Sequence, residues 1–177
     1  MGLARGRERR GHRRSGHALP HRGAPLRAQG WRPGRGAPAR NTVEPSRGGS
    51  LILRGNLELL RPDGTLLLRD TRVALCRCGQ SRNRPFCDNS HRDVGFADRG
   101  EVFEGGLKPG DAGSADPRLR ITPIADGPLL LAGPVTIRST DGRVALQGGK
   151  ASLCRCGRSR NKPFCDGSHK GAGFVTG

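Results

Sequence analysis

The feature that most constrains this chain is a duplication displaced by 78 residues. Cysteines stand at Cys76, Cys78 and Cys87, and again at Cys154, Cys156 and Cys165, each pair separated by that offset. The same displacement pairs His91 with His169, the two histidines outside the first 49 residues. Residues 51–96 align on residues 129–174 without a gap, and Leu51, Leu53, Gly55, Asp63, Gly64, Leu68 and Leu75 meet identical residues. Self-similarity of this kind marks two copies of one structural unit.

Composition argues that these copies are small. The chain has 177 residues, of which 33% are apolar and 3% aromatic, while Gly and Pro contribute 29 and 13 positions. A domain-sized aliphatic core is not expected from such a chain, because too little apolar surface offsets the chain entropy. The cysteines are the natural substitute for that core. No apolar stretch approaches the roughly 20 residues of a membrane span, so no such span is expected.

The formal charge of +17 is uneven, since residues 1–49 hold twelve Arg against Glu8 and Glu44. That segment is rich in Arg, Gly, Pro and Ala and lacks a hydrophobic period, so it reads as a disordered tail. It has neither an amphipathic stripe nor a secretory apolar region, and a reducing compartment is therefore expected. Arg outnumbers Lys 28 to 4, which suggests GC-rich coding and a bacterial cytoplasm, or the mitochondrial matrix if the source is eukaryotic.

Each copy opens with β-like runs around turn signals. Leu51–Leu53 and Leu57–Leu60 precede Pro62-Asp63-Gly64, with Leu66–Leu68 and Val73–Leu75 after it. Leu129–Leu131 and Val135–Ile137 precede Asp141-Gly142, with Val144–Leu146 after it. Asp-Gly between β-prone runs predicts hairpins. Leu119–Ile124 reads as a further strand, kept at an edge by Pro123. No long helix is predicted. The expected domains are a tail over 1–49, a first repeat over 50–96, a linker over 97–118 and a second repeat over 119–177.

The chemical signature is Cys-x-Cys-x8-Cys-x3-His, present twice: Cys76, Cys78, Cys87 and His91, then Cys154, Cys156, Cys165 and His169. Two cysteines one residue apart converge on a metal when the backbone curls around it. A Cys and a His four apart share a face if a helical turn begins between them. Asp88 and Asp166 stand where the cap of such a turn would be, and Pro85 and Pro163 stiffen the loop before it. Disulfides leave the paired histidines unexplained. A structural Cys3His zinc site and an iron–sulfur cluster of mixed ligation both remain open on spacing alone.

Both stretches, and above all Cys165-Asp166-Gly167-Ser168-His169, resemble the CDGSH iron–sulfur domain family. The resemblance covers 51–96 and 119–174 and includes Cys-x-Cys, the serine three residues on, Pro-x-Cys-Asp and Ser-His. It implies a small β-rich α+β protein of mitoNEET-like fold whose two CDGSH repeats form an internal pseudo-dimer, and hence a monomer. It also implies two [2Fe–2S] clusters, one on Cys76, Cys78, Cys87 and His91, the other on Cys154, Cys156, Cys165 and His169. One-electron transfer, redox sensing or cluster delivery would follow, with a redox protein or an apo-acceptor as partner.

The first copy departs from the family pattern at Asn89, where the second has Gly167; Asn is the next most tolerant residue if φ is positive there. Arg77, Arg82, Arg84, Arg155, Arg160 and Lys162 are either counter-charges or solvated surface. Phe86, Phe96, Phe164 and Phe174 are read as small core and shielding. No substrate-processing constellation is visible, so an enzyme is not expected. The rivals are a zinc-binding nucleic-acid module, disfavoured by the scarcity of aromatics, and a relay subunit of a redox enzyme.

Overall fold

A computed structural model describes residues 40–110 and 116–176. Seven strands form one sheet: β1 (Thr42–Pro45), β2 (Leu51–Leu60), β3 (Leu66–Leu75), β4 (Leu107–Lys108), β5 (Leu119–Pro123), β6 (Leu129–Arg138) and β7 (Ala145–Leu153). The longest described helix is α1, the four residues Ser90–Asp93, as the absence of any 3.6-residue period predicts.

Each repeat is a short strand followed by a long hairpin. In β2 the buried residues alternate from Leu51 through Leu57, placing one face inward. The first hairpin turns where Asp63 accepts the Thr65 N–H at 2.8 Å. The second turns where Asp141 accepts the Arg143 N–H at 3.0 Å. Both are Asp-Gly turns of the predicted kind. The short runs read from the sequence are continuous strands, interrupted by bulges between Arg54 and Leu57 and between Ala132 and Val135. Gly55 and Gly133 lie in these bulges, and a side chain on Gly55 would overlap Asn41.

The 78-residue offset also governs the pairing. β1 runs antiparallel to β2 from Thr42↔Arg54 to Pro45↔Leu51, and β5 to β6 from Arg120↔Ala132 to Pro123↔Leu129. β1 also runs parallel to β6 through Val43↔Ile137, while β5 runs parallel to β2 through Leu59↔Ile121. The first strand of each repeat therefore lies between its own hairpin and the hairpin of the other, and the sheet curls into a small barrel-like form.

Several expectations need correction. The strand read at Leu119–Ile124 is not kept at an edge by Pro123, because β5 pairs with β2 through Leu119–Ile121 as well as with β6, and Pro123 lies beyond the register with β2. The tail cannot extend to residue 49, because Thr42–Pro45 is β1 and Val43 is fully buried. Asn41 anchors this strand: its Nδ2 donates to the carbonyls of Pro117 (2.9 Å) and Pro134 (2.7 Å), and its Oδ1 accepts the Asn56 N–H at 2.8 Å. Four residues ending in proline are too short to show a period. The signal was the duplication itself, since the strand read at Leu119–Ile124 has its counterpart at 41–46. Residues 1–39 lie outside the described residues.

The linker, too, is partly structured. Val102 is buried in the core, and Leu107–Lys108 pairs with β7.

The core likewise exceeds the compositional expectation. Val43, Leu51, Leu53, Leu57, Leu59, Leu119, Ile121, Leu129, Ile137 and Leu153 belong to one aliphatic cluster shared by both repeats. Averaging over the Arg-rich N-terminus hid this concentration of Leu, Ile and Val in the strands. At the edge of the cluster Glu58, 4% exposed, receives Arg69 at 2.7 Å, Arg118 at 3.0 Å and Arg120 at 3.3 Å. Burial works against ionisation, but hydrogen bonding from Arg69 and the charges of Arg118 and Arg69 hold this carboxyl below its usual range.

Candidate metal centres

Both Cys-rich loops leave the ends of the long hairpins, after β3 and after β7. The loop of the first site is folded back onto its own strand: Cys76 N–H donates to the Pro85 carbonyl at 2.8 Å, and Cys87 N–H donates to Ala74 at 3.0 Å. An isolated bridge between Leu75 and Phe86 lies among these bonds. The second site repeats the arrangement, with Cys154 N–H on Pro163 and Cys165 N–H on Ser152, both at 2.8 Å. Arg84-Pro85 and Lys162-Pro163 are cis. This return of the loop brings the third cysteine back to the strand that leads into the first two.

Ser81 and Ser159, each 1% exposed, pin the interiors of the loops. The hydroxyl of Ser81 donates to the Phe86 carbonyl at 2.7 Å and accepts the Asn83 N–H at 3.1 Å. Ser159 does the same with Phe164 and Asn161 at 2.6 and 3.1 Å. The carboxylate of Asp88 accepts from Ser90 N–H at 3.0 Å, from the Ser90 hydroxyl at 2.7 Å and from Arg82 N–H at 2.8 Å. The Ser90 hydroxyl and the two backbone donors hold it far below the ordinary carboxylate range.

Asp88 therefore braces the turn one residue earlier than expected, because the cap position of α1 is Asn89. Asn89 has φ 72° and Gly167 has φ 88°, so the position is left-handed in both copies. The Asn side chain makes no capping hydrogen bond.

The donors come together in pairs. Cys76 Sγ lies 3.7 Å from Cys78 Sγ, and Cys87 Sγ lies 3.4 Å from His91 Nδ1. In the second site Cys154 and Cys156 are again 3.7 Å apart, and Cys165 and His169 Nδ1 again 3.4 Å. Two sulfurs about 2.3 Å from one tetrahedral metal stand roughly 3.8 Å apart, and a sulfur with an imidazole nitrogen roughly 3.5 Å. Each pair thus has the separation of two ligands on one metal. Among the described residues no three His, Cys, Asp or Glu side chains gather around a single ion position. All six cysteines are free thiols.

Charge within the cysteine pairs favours a cation. A hydrogen bond from Cys78 lowers the Cys76 thiol to about 5, while Cys78 is pushed up. In the second pair burial pushes Cys154 up to about 11, and the neighbouring Cys156 adds to it. In the first pair one sulfur ionises at the other's expense, and a positive centre between them would let both ionise.

Arg77 and Arg155 are not surface charge. Arg77 is 1% exposed; it donates to the carbonyls of Gly49 (2.9 Å) and Ser46 (2.5 Å), pairs with Asp98 at 2.6 Å and covers the Phe96 ring at 5.2 Å. Arg155 donates to the carbonyls of Gly127 (2.8 Å) and Ile124 and covers Phe174 at 5.5 Å. Burial and the neighbouring Arg84 lower its pKa, with Cys76 and Asp126 acting in opposition. Phe164 is core, as expected, whereas Phe96 and Phe174 serve as platforms for these guanidinium groups. Arg82 and Arg160 are exposed.

The two sites also touch. A Cβ on Gly79 would lie 2.9 Å from the Cys156 carbonyl oxygen, and one on Gly157 would lie 2.9 Å from that of Cys78. Both glycines are left-handed, at φ 82° and 76°. The Cys-x-Cys backbones therefore abut across the molecule, and any side chain at either position would separate them.

No helix among the described residues is long and apolar enough to cross a membrane. The model of the iron-binding zinc finger of the CDGSH type matches residues 48–92 and 126–170, just over half of the chain. Residues of the chain are 54% identical over 39 positions to the CDGSH iron-sulfur domain-containing protein 3, mitochondrial, of Mus musculus. That match covers 22% of this chain and 28% of the mouse protein's length. With two loops of repeated geometry falling inside the two matched segments, the chain belongs to the CDGSH-type iron-binding family and carries two of its domains.

Proposed function

We propose that the chain is an iron–sulfur protein with two [2Fe–2S] sites, each bound by three cysteines and one histidine, that transfers electrons or delivers clusters and is not an enzyme. The observation that carries this reading is the arrangement of each donor set as two pairs, 3.7 and 3.4 Å apart. Two pairs suit two metal atoms, whereas one zinc would draw four donors into a single tetrahedron. Cys76 and Cys78 would hold one iron and Cys87 with His91 the other, and likewise Cys154 and Cys156, Cys165 and His169. When bound, such a group accepts and returns a single electron.

The residues of the chain set the terms of that exchange. Three thiolates and a neutral imidazole place the oxidised site at −1, between the four-thiolate and two-histidine arrangements. Its potential should fall above about −400 mV and below about +300 mV. Nδ1 faces the cysteine sulfur, which leaves Nε2 to carry the proton of the neutral ring. The half-buried positions of Cys87, Cys165 and both histidines open the Cys–His side of each site to a partner.

Partners on this reading are a redox protein or an apo-acceptor of clusters. The matching registers of β1 on β6 and β5 on β2 support an internal pseudo-dimer that is monomeric in solution. Free thiols of this number suit a reducing compartment, bacterial cytoplasm or mitochondrial matrix.

Iron and acid-labile sulfide in equal amounts, with visible absorption of a red-brown protein, test the reading directly. Colourless protein containing zinc alone would refute it. Changing both His91 and His169 to Cys should lower the potentials and slow loss of colour in mild acid. Unchanged values would remove the histidines from the ligand set.

A further inference from the structure

The two repeats differ in how one buried arginine is compensated. Arg77 and Arg155 are counterparts at the 78-residue offset, and each is fixed by two backbone carbonyls and an aromatic ring. Arg77, however, is neutralised by Asp98, whose side chain is 12% exposed. The counterpart of Asp98 is Thr176, and among the described residues Arg155 has no carboxylate within ion-pair distance. Asp126 acts on Arg155 from farther away, but it is exposed and occupied by Thr176, whose N–H and hydroxyl reach it at 2.7 and 3.0 Å.

The unpaired arginine reaches the opposite site. The charge of Arg155 acts on Cys76. Beside Arg155, Arg84 lies over the same Phe174 ring at 6.0 Å and donates to the Gly79 carbonyl at 3.0 Å. The first site is thus flanked by two cations with only a solvated acid near them. For the second site the cation at the equivalent position is Arg77, already paired with Asp98, and Lys162 donates to the Ser159 carbonyl at 2.5 Å.

We infer that the two sites are unequal in potential, the first (Cys76, Cys78, Cys87, His91) taking the first electron, and that the presence of Asp98 against Thr176 sets the order. A buried cation lowers the cost of adding negative charge nearby because little solvent screens it. The Arg77–Asp98 pair presents almost no net charge to the second site. An electron delivered to the second site would pass to the first, one site losing it and the other gaining it, with no bond formed or broken. The inference rests on the iron–sulfur reading above.

The test is anaerobic reductive titration of the full metal-loaded chain with dithionite, followed by visible absorption and electron paramagnetic resonance. Two one-electron steps are expected. His91→Cys should displace the higher step and leave the lower in place, which assigns the first site to it. Asp98→Asn leaves Arg77 as uncompensated as Arg155 while keeping the acceptor for the Gly100 N–H (2.9 Å), so the lower step should rise toward the higher. Thr176→Asp, at a partly exposed position, provides the reverse test if the Asp98→Asn chain fails to fold: the higher step should fall. A single step in the unaltered chain, displacement of the lower step by His91→Cys, or steps indifferent to both charge changes would each overturn the inference. Absence of iron and sulfide would instead overturn the reading of the sites themselves.

Discussion

Replacing Gly79 by Ala tests the contact between the two loops, and the structure provides its own control. At φ 82° an alanine is left-handed, which costs roughly 1–2 kcal/mol. Its Cβ would also stand 2.9 Å from the Cys156 carbonyl oxygen and 3.2 Å from the Cys156 Cα. Backbone cannot swing aside as a side chain does, so overpacking adds about 1–3 kcal/mol. Gly64 has φ 84° and nothing within 4 Å of its Cβ position, so Gly64→Ala carries only the conformational cost. The difference between the variants is then about 1–3 kcal/mol, or roughly 2–12 °C in Tm for a chain of this size. Thermal unfolding of the loaded chain by circular dichroism measures it. Because the obstructed atoms belong to the other site, Gly79→Ala should also hasten iron loss from both sites. Equal Tm for the two variants, or faster loss of only half of the iron, would refute the abutting loops.

Four further outcomes follow from the geometry. Asn89→Gly should leave the first site as stable or up to about 1 kcal/mol more stable, since its φ is positive and no capping bond is lost; a marked fall in Tm would show a needed Asn contact. Asn41→Ala removes three buried hydrogen bonds and should cost about 2–4 kcal/mol in urea unfolding. A chain beginning at Arg40 should consequently fold, whereas one beginning at Val43 should be markedly weakened, as parallel urea curves would show. The depressed carboxyl of Glu58 contributes stability that is complete above its unfolded pKa and lost as pH falls through its folded value; Glu58→Gln should therefore be less stable at pH 7, the gap closing only below about pH 4.

Much of this structure was legible because it is local or repeated. The hairpins followed from Asp-Gly between β-prone runs, and the left-handed residue at Asn89 followed from Gly at the matching position. The paired donors followed from a Cys-x-Cys and a Cys-x3-His at fixed spacing. What was not legible depends on distant partners. β1 is too short to declare itself, and its stability comes from Leu51–Arg54 and from Thr136 and Ile137 in the other repeat. Arg77 and Arg155 look like surface charges in sequence, yet carbonyls 28 residues away bury them. The recurrence of Arg in both copies was a signal, but Arg82 and Arg160 recur too and are exposed, so recurrence alone could not separate anchor from solvated charge.

The exchange of short strands has a consequence for how such a chain can be cut. β1 needs β6 and β5 needs β2, so neither repeat completes its own sheet. The covalent connection between residues 110 and 116, by contrast, joins two halves already held by strand pairing and a common core. Its main thermodynamic contribution is the effective concentration it imposes. A chain severed there should persist as two associated fragments, with dilution rather than cleavage separating them. Gene fission at that point would be tolerated where both pieces are made together, and loss of either piece would strip the other of a strand as well as of its neighbouring metal loop.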